Sequence, residues 1–315
     1  MRHFLKETDF SREEVAGVFA TAAAMKQSRG RHTPPSLAHQ SWGLLFFKKS
    51  TRTRVSFQVG VAELGGNPVM LNADELQLSR GETTSDTARV LSRYLHGLVI
   101  RCYEHSLLEE FTRFGSVPVV NALSDFLHPC QIYTDFFTLA ERWSGDSSRY
   151  LESLKGKKIA FLGDTACNMA NSFILGGALL DVEISLSGPA GFEPGEKIID
   201  QLKQDKLSPT WSFTQDPAEA VRGADMVYTD VWVSMGMEAE KADRLKLMQP
   251  YQVNGALMKA AKSGAYFMHC LPAHAGEEVT QDVLDSPASI IFDQAENRLH
   301  TQKAILAHLG AANRG

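Results

Sequence analysis

The chain has few cysteines, no paired cysteine spacing and no long apolar run. Its four cysteines, Cys102, Cys130, Cys167 and Cys270, show none of the spacings of zinc sites or redox dithiols. No stretch approaches the roughly 20 apolar residues that span a bilayer, and the N-terminal segment MRHFLKETDFSREEV lacks an apolar stretch of signal-peptide length. We therefore expect a cytoplasmic protein with no disulfide framework and no membrane partner.

The chain also lacks an excess of positive charge. Its formal net charge is −5 at pH 7, so nucleic acid is not expected as a partner and any site for an anion must be local. Hydrophobic residues make up 43% and charged residues 22% of the 315 residues, which is typical of a globular protein with an ample core. This length favours two domains over one.

Strand-like apolar runs alternate with helix-like segments along the chain, without an internal repeat. The predicted strands are residues 42–47, 69–72, 97–101, 117–121, 158–162, 182–186, 226–229, 266–269 and 290–292. We expect an α/β fold of two domains, each a mostly parallel sheet flanked by helices, with the active site in the cleft between them. The predicted limits are residues 1–143, residues 144–293, and a C-terminal helix over residues 294–315 that packs back on the first domain.

A phosphate site is predicted where the first strand gives way to a helix. The run Ser50-Thr51-Arg52-Thr53-Arg54 places two arginines and three hydroxyls on the first helical turn. Unpaired backbone N–H groups and the positive end of the helix dipole favour an anion there. The same dipole disfavours arginine at this end of a helix, and a bound anion resolves that conflict.

Other unusual polar residues also fall at or just beyond the carboxyl ends of predicted strands. These residues are 50–54, Arg101, His128, 164–168, Asp230 and Cys270. In open parallel sheets this edge is where ligands bind. A metal held by His269 and Cys270 is not expected, because adjacent residues on a strand point to opposite faces. His105 and His274 are expected at the surface.

Eight segments, in order along the chain, match a known family. They are residues 50–54 (STRTR), 76–82 (LQLSRGE), 86–89 (DTAR), Arg101, 128–131 (HPCQ), 230–236 (DVWVSMG), 269–272 (HCLP) and 296–298 (ENR). The ordered set resembles the ornithine carbamoyltransferases. The motifs of the first half are shared with aspartate carbamoyltransferases, because both groups use carbamoyl phosphate, so those motifs identify the first substrate only.

The resemblance implies that the phosphate is held by the STRTR segment, with Arg101 reaching both phosphate and carbonyl. It also implies that a neighbouring subunit supplies Gln77, which makes a homotrimer with shared sites necessary for activity. No metal and no organic cofactor are implied. The residues that the resemblance assigns to carbamoyl phosphate are Ser50, Thr51, Arg52, Thr53, Arg54, Gln77, Arg101, His128, Gln131, Cys270, Leu271 and Arg298.

The second half is expected to select L-ornithine, giving L-citrulline and phosphate. The resemblance places Asn168, Asp230, Ser234 and Met235 on ornithine, and a cis bond between Leu271 and Pro272. An acid suits the α-ammonium, whereas a site for aspartate would need extra cations for its second carboxylate. The residues expected to act in catalysis are Arg101, His128, Asp230 and Cys270. Cys270, Asp230 and the departing phosphate are alternative acceptors for the proton of the δ-amine.

The chain departs from the family pattern at a few positions. Family members commonly read Phe-Glu-Lys-Pro before STRTR, whereas this chain has Phe47, Lys48 and Lys49 and so lacks that acid and proline. Cys167 stands where many members carry the first of two asparagines. Alternatives are a carbamoyltransferase for putrescine or an acylated ornithine, and a catalytically silent homologue. A nucleotide-binding oxidoreductase is disfavoured because residues 163–168 lack the GxGxxG glycines.

Overall fold

The structure, a computed structural model, describes residues 1–233 and 241–313, except for the side chains of residues 79 and 80. The chain divides into two compact units: a first unit of Met1–Tyr150 with Glu296–Gly315, and a second unit of Leu151–Ala295. Each unit holds one sheet in which every pair of neighbouring strands is parallel. The predicted α/β class of two parallel sheets flanked by helices is therefore confirmed.

The sheet of the first unit has the strand order β2-β1-β3-β4. Its strands are β1 (Ser41–Phe46), β2 (Asn67–Asn72), β3 (Gly97–Arg101) and β4 (Val119–Leu123). Leu44 of β1 pairs with Met70 on one side and with Val99 on the other. The central strands β1 and β3 are mostly apolar and are buried on both faces, as expected for a parallel sheet covered by helices.

The sheet of the second unit has the order β7-β6-β5-β8-β9. Its strands are β5 (Lys158–Leu162), β6 (Glu183–Ser187), β7 (Trp211–Thr214), β8 (Met226–Thr229) and β9 (Tyr266–Met268). Ala160, Val227 and Phe267 lie in one apolar cluster with Val253 and Ile291. This cluster is the core of the second unit.

One or two α-helices follow each strand of the described chain, and α1 precedes β1. They are α1 (Arg12–Gln27), α2 (Thr51–Glu63), α3 (Thr84–Tyr94), α4 (His105–Phe114), α5 (Pro129–Ser144), α6 (Tyr150–Leu154), α7 (Asn168–Leu180), α8 (Glu196–Gln204), α9 (Pro217–Val221), α10 (Lys241–Met248), α11 (Gly255–Ala260), α12 (Gln281–Leu284) and α13 (Ile291–Ala312). Within residues 1–233 and 241–313, no helix combines the length and apolar composition needed to cross a membrane.

Local sequence signals set the ends of the helices that matter most for the site. Ser11 and Glu14 form a capping box, in which the Glu14 N–H donates to Ser11 Oγ at 3.3 Å and the Ser11 N–H donates to Glu14 Oε2 at 2.9 Å. Ser50 caps α2 by accepting the Thr53 N–H at 3.3 Å. The chain leaves α2 through Gly65, whose φ of +79° is left-handed.

Two strand predictions fail, each for a physical reason. The predicted strand over residues 290–292 is wrong, because α13 begins at Ile291 and the Phe292 side chain is exposed; a short apolar run fits a helix start as well as a strand. Strand β7 was not predicted, because it is a short, half-buried edge strand in which serine and threonine alternate with the aromatic residues.

The two histidines expected at the surface differ. The side chain of His274 is exposed, but that prediction is wrong for His105, which is buried with Nδ1 2.8 Å from Ser124 Oγ. The His105 N–H also donates to Asp125 Oδ1 at 2.9 Å. A lone histidine at the start of an otherwise ordinary helix gives no sequence signal for such a partner.

We predict that Gly97→Ala destabilises the first unit, because a Cβ at Gly97 would lie 2.5 Å from Cζ3 of the buried Trp42 ring. Overpacking of this kind costs about 1–3 kcal/mol. The matched control is Gly17→Ala in α1, where a Cβ meets no atom within 4 Å, and where the better helix propensity should stabilise the chain by roughly 0.5–1 kcal/mol. Urea unfolding of both variants checks the prediction. Equal unfolding midpoints would contradict it.

Candidate active site

In each sheet the strands are added first to one side of a central strand and then to the other, and the switch point lies between the two strands where this direction changes. In the first sheet this switch point lies between β1 and β3, and in the second between β5 and β8. The STRTR segment follows β1, and Arg101 is the last residue of β3. Residues 163–168 follow β5, and Asp230 follows β8. The predicted site residues therefore lie at the carboxyl edge, where parallel sheets bind ligands.

In the first unit, the STRTR segment forms the start of α2. Ser50 is the N-cap, and Thr53 is buried in the first turn. Arg52 is half-buried, whereas Thr51 and Arg54 are exposed. The 13-residue helix directs the N–H groups of its first turn and the positive end of its dipole to this end.

Arg298 of α13 lies against this turn. Its Nη2 donates to Thr53 Oγ1 at 3.1 Å, and its Nη1 donates to Gln131 Oε1 at 2.5 Å. The amide nitrogen of Gln131 donates in turn to Asp135 Oδ1 at 2.8 Å. Arg298 and Gln131 are both buried, so three predicted residues from distant parts of the sequence are brought together within this unit.

His128 is the N-cap of α5 and is buried. Burial, followed by the positive charges of Arg298 and Arg101, lowers the pKa of His128 well below its usual value. The imidazole is therefore neutral at pH 7. It offers one hydrogen-bond donor and one acceptor without adding a further positive charge.

Lys48 adds to the positive field around Arg101. Burial, and then the charge of Arg101, lowers the pKa of Lys48. Its Nζ lies 4.2 Å from the centre of the Tyr103 ring, a cation–π contact. Lys49, the other lysine at which this chain departs from the family pattern, is exposed. Gln77 is also exposed and begins a short 3-10 helix, Gln77–Arg80.

In the second unit, Cys270 and Asp230 meet directly. The thiol of Cys270 donates to Asp230 Oδ1 at 3.0 Å, and the same oxygen accepts the Val231 N–H at 2.8 Å. The Leu271–Pro272 bond is cis, which confirms the expectation from the resemblance, and Leu271 has a left-handed φ of +59°. The Leu271 N–H donates to His269 Nδ1 at 2.8 Å, which fixes the backbone beside Cys270.

Behind this turn lies a fully buried pair of His269 and Glu278. His269 Nε2 lies 3.2 Å from Glu278 Oε1. Because Nδ1 of His269 accepts the Leu271 N–H, Nε2 is the ring nitrogen that faces the Glu278 carboxylate. Burial alone would raise the pKa of Glu278, but the hydrogen bonds from His269 and the His274 N–H outweigh it and lower that pKa.

The ligand atoms of Asp230, His269 and Cys270 lie within 4.8 Å of one another. The expectation that His269 and Cys270 point apart is therefore wrong, because β9 ends at Met268 and the strand alternation stops there. His269 Nδ1 already accepts the Leu271 N–H. Cys270 is hydrogen-bonded to Asp230, and His269 is hydrogen-bonded to the backbone of the next turn.

The remaining predicted residues of the second unit lie near Asp230 or outside the described chain. Asn168 is the first residue of α7, and Cys167 is its N-cap, whose side chain makes no capping hydrogen bond. Burial, and then Asp164 and Asp230, raise the pKa of Cys167 well above its usual value. Ser234 and Met235 lie outside the described residues.

One functional feature of the second unit was not predicted from sequence. Arg244 forms an ion pair with Asp164, and its Nε donates to the Trp232 carbonyl at 2.8 Å. Burial raises the pKa of Asp164, and the positive charge of Arg244 opposes this. Arg244 belongs to none of the motifs, so the sequence carries no signal for this contact.

The chain matches two family models. Residues 2–141 match the carbamoyl-P binding domain, and residues 155–309 match the Asp/Orn binding domain, of aspartate/ornithine carbamoyltransferase. An ornithine carbamoyltransferase from Staphylothermus marinus is 49% identical over 97% of this chain and 96% of its own length. An anabolic ornithine carbamoyltransferase from Pyrococcus furiosus is 46% identical over 97% of this chain and 95% of its own length.

Solved structures agree. The structure of ornithine carbamoyltransferase from Pyrococcus furiosus has a TM-score of 0.87 at 45% identity, and covers 97% of this chain and 96% of its own. That of anabolic ornithine carbamoyltransferase from Campylobacter jejuni has a TM-score of 0.89 at 34% identity, and covers 99% of this chain and 100% of its own.

The buried pair behind Cys270 predicts a pH-dependent stability. Because the folded-state pKa of Glu278 lies below its usual 4.5, its contribution is present above pH 4.5 and is lost as the pH falls through the folded-state pKa. Glu278→Gln should therefore destabilise the chain at pH 7 by about 1–3 kcal/mol, and the difference from wild type should shrink towards pH 4.

Urea unfolding from pH 7 to pH 4 measures this difference. The control is Glu277→Gln, which removes only the partly exposed ion pair with Lys241 at 3.0 Å and should change stability by less than about 1 kcal/mol. A Glu278→Gln effect that stays constant over this pH range would refute the assignment.

Proposed function

The chain belongs to the aspartate/ornithine carbamoyltransferase family, and on that premise we propose how its residues perform the reaction. It is an ornithine carbamoyltransferase, an enzyme that transfers the carbamoyl group of carbamoyl phosphate to the δ-amine of L-ornithine and releases L-citrulline and phosphate. The observation that carries this conclusion is 46–49% identity to enzymes of this name over almost the full length of both chains. Since a relative of this similarity is the anabolic enzyme, we propose that the reaction serves arginine biosynthesis.

The first unit is proposed to hold carbamoyl phosphate. The N–H groups at the start of α2, with Arg52 and Arg54, bind the phosphate, because they combine a helix dipole with charge-assisted donors. Arg101 bridges phosphate and carbonyl. As phosphate leaves, its added negative charge is stabilised by these same groups.

The carbonyl oxygen gains negative charge when the amine attacks. Arg101, Thr53 and neutral His128 are proposed to donate to it, and Gln131 and Arg298 to orient the carbamoyl group. The contacts of Arg298 with Thr53 and Gln131 support this grouping. Donors held in place before the reaction stabilise such an oxyanion without reorganisation.

The second unit is proposed to hold ornithine. Asp230 binds the α-ammonium, and its carboxylate already accepts two hydrogen bonds that stabilise negative charge. Asn168 binds the α-carboxylate, with Ser234 and Met235 as further predicted contacts. Cys270, beside Asp230, contacts the δ-amine, which must be neutral to attack. Leu271, held by His269, directs its backbone towards the carbamoyl group.

We further propose a cytoplasmic homotrimer in which Gln77 completes the site of a neighbouring subunit. Gln77 is exposed in the single chain. Val55 of α2 and Val90 and Tyr94 of α3 are large apolar side chains exposed at 52%, 44% and 71%. Exposed apolar groups on the unit that carries Gln77 support an interface there.

A substrate comparison tests the function. Purified protein with carbamoyl phosphate is given ornithine, putrescine, N-acetylornithine or aspartate, and the carbamoylated product is quantified by mass spectrometry. We expect turnover with ornithine to exceed that with each other amine by at least about a hundredfold, since a buried polar group left unpaired discriminates at this level. Preference for another amine, or no turnover, would overturn the proposal.

Two single variants separate the two substrates. Arg52→Ala should raise KM for carbamoyl phosphate and lower kcat by about a hundredfold, because it removes charge from the phosphate and the transition state. Asp230→Asn should raise KM for ornithine by about tenfold or more and leave KM for carbamoyl phosphate nearly unchanged. Each variant controls for the other. Steady-state kinetics in which both variants affect both constants equally would contradict the division.

A further inference from the structure

Gln302 is a fully buried amide that no motif includes. It lies on α13 one helical turn beyond Arg298 and has no exposed surface. A buried amide costs free energy unless its polar atoms are hydrogen-bonded. Its partners therefore show what the residue holds in place.

The amide oxygen of Gln302 faces the guanidinium of Arg298. It accepts from Nε at 2.9 Å and from Nη2 at 2.8 Å. The amide nitrogen faces the other way and donates to Ser56 Oγ at 2.6 Å and to the Arg298 carbonyl at 3.3 Å. This orientation uses both lone pairs of the oxygen and both hydrogens of the nitrogen.

The two contacts with the oxygen fix the plane of the guanidinium. A guanidinium is planar, so fixing Nε and one N–H of Nη2 on one side also fixes the directions of Nη1 and of the second N–H of Nη2. On its other side, Nη1 donates to Gln131 Oε1 and Nη2 to Thr53 Oγ1. Gln302 thus stands directly behind the group that joins α13 to the start of α2.

The amide nitrogen reaches the same helix start by a second route. Ser56 Oγ donates to the Arg52 carbonyl at 2.7 Å and lies 3.3 Å from the Thr53 carbonyl. The two routes from Gln302, through Arg298 and through Ser56, therefore both end on the first turn of α2, whose N–H groups form the proposed phosphate site.

We propose that Gln302 is a positioning residue for carbamoyl phosphate, acting through Arg298 and the first turn of α2. This inference rests on the proposed function of that site. Gln302 itself touches no substrate. Its role is to set the angle of the Arg298 guanidinium, so that donors are already aimed when carbamoyl phosphate binds.

Three variants of the full chain test this role. Gln302→Met removes both routes at similar volume, and Gln302→Glu keeps an acceptor for Nε and Nη2 of Arg298. The control is Thr301→Val, which breaks the buried 2.5 Å hydrogen bond between Thr301 and Thr134 on the neighbouring face of α13. Steady-state kinetics with both substrates and thermal unfolding are measured for each.

We expect Gln302→Met to lower kcat/KM for carbamoyl phosphate by about tenfold to a hundredfold, as small displacements of an aligned group do, with KM for ornithine within about twofold of wild type. Gln302→Glu should recover activity to within about threefold of wild type because Arg298 stays anchored. Thr301→Val should lose thermal stability but keep both Michaelis constants.

Two results would overturn the inference: wild-type kinetics in folded Gln302→Met, or equal losses for both substrates in Gln302→Met, Gln302→Glu and Thr301→Val. If Gln302→Met does not fold, Gln302→Asn decides the matter, since it stays polar but is one methylene too short to reach Arg298. Failure of the proposed function is separate, because it shows as absence of citrulline with the wild-type enzyme.

Discussion

The parallel direction of every strand pair is the constraint on which the site depends. Parallel strands need a crossover helix after each strand, so all carboxyl ends of one sheet meet at one edge. In the first unit this edge brings Arg101 and the STRTR segment together across more than forty positions of sequence. In the second unit it does the same for Asp230 and Cys270, which meet at 3.0 Å. In both units, therefore, the direction of the strands decides which side chains lie close together at this edge.

The first unit concentrates positive charge where water is largely excluded. Arg101 and Arg298 are buried, and after burial itself their positive charges lower the pKa of His128. Uncompensated, such charges would destabilise the unit. Arg298 is held by neutral acceptors, namely the Gln131 and Gln302 amides and the Thr53 hydroxyl.

Much of this arrangement could be predicted from sequence, and the limits are physical. Strands β3, β5 and β8 were predicted with their observed bounds, because each is a buried apolar run between clear breaks. The STRTR segment was also predicted correctly as a helix start, because the pattern of the sequence changes there from strand-like to helical. Edge strand β7 and the start of α13 were missed, since exposure and short length remove the pattern.

Long-range pairing was the other limit. The bond between Ser56 and Gln302 joins residues 246 positions apart, and that between Arg298 and Gln131 joins residues 167 apart. No periodicity reports such a partner. The motifs include Arg298 but not Gln302, which contacts its guanidinium. The predicted separation of His269 from Cys270 failed because the strand ends one residue earlier.

The first unit is discontinuous in the chain, since residues 1–150 are joined by Glu296–Gly315. Within that last segment, Ile305, Leu306 and Leu309 are completely buried, and Arg298 contacts Thr53. During synthesis the ribosome therefore exposes residues 1–150, most of this unit, long before its last segment emerges, while the second unit is already complete. Until then residues 1–150 lack the buried side chains of Ile305, Leu306 and Leu309, and incompletely packed intermediates of this kind are prone to aggregate.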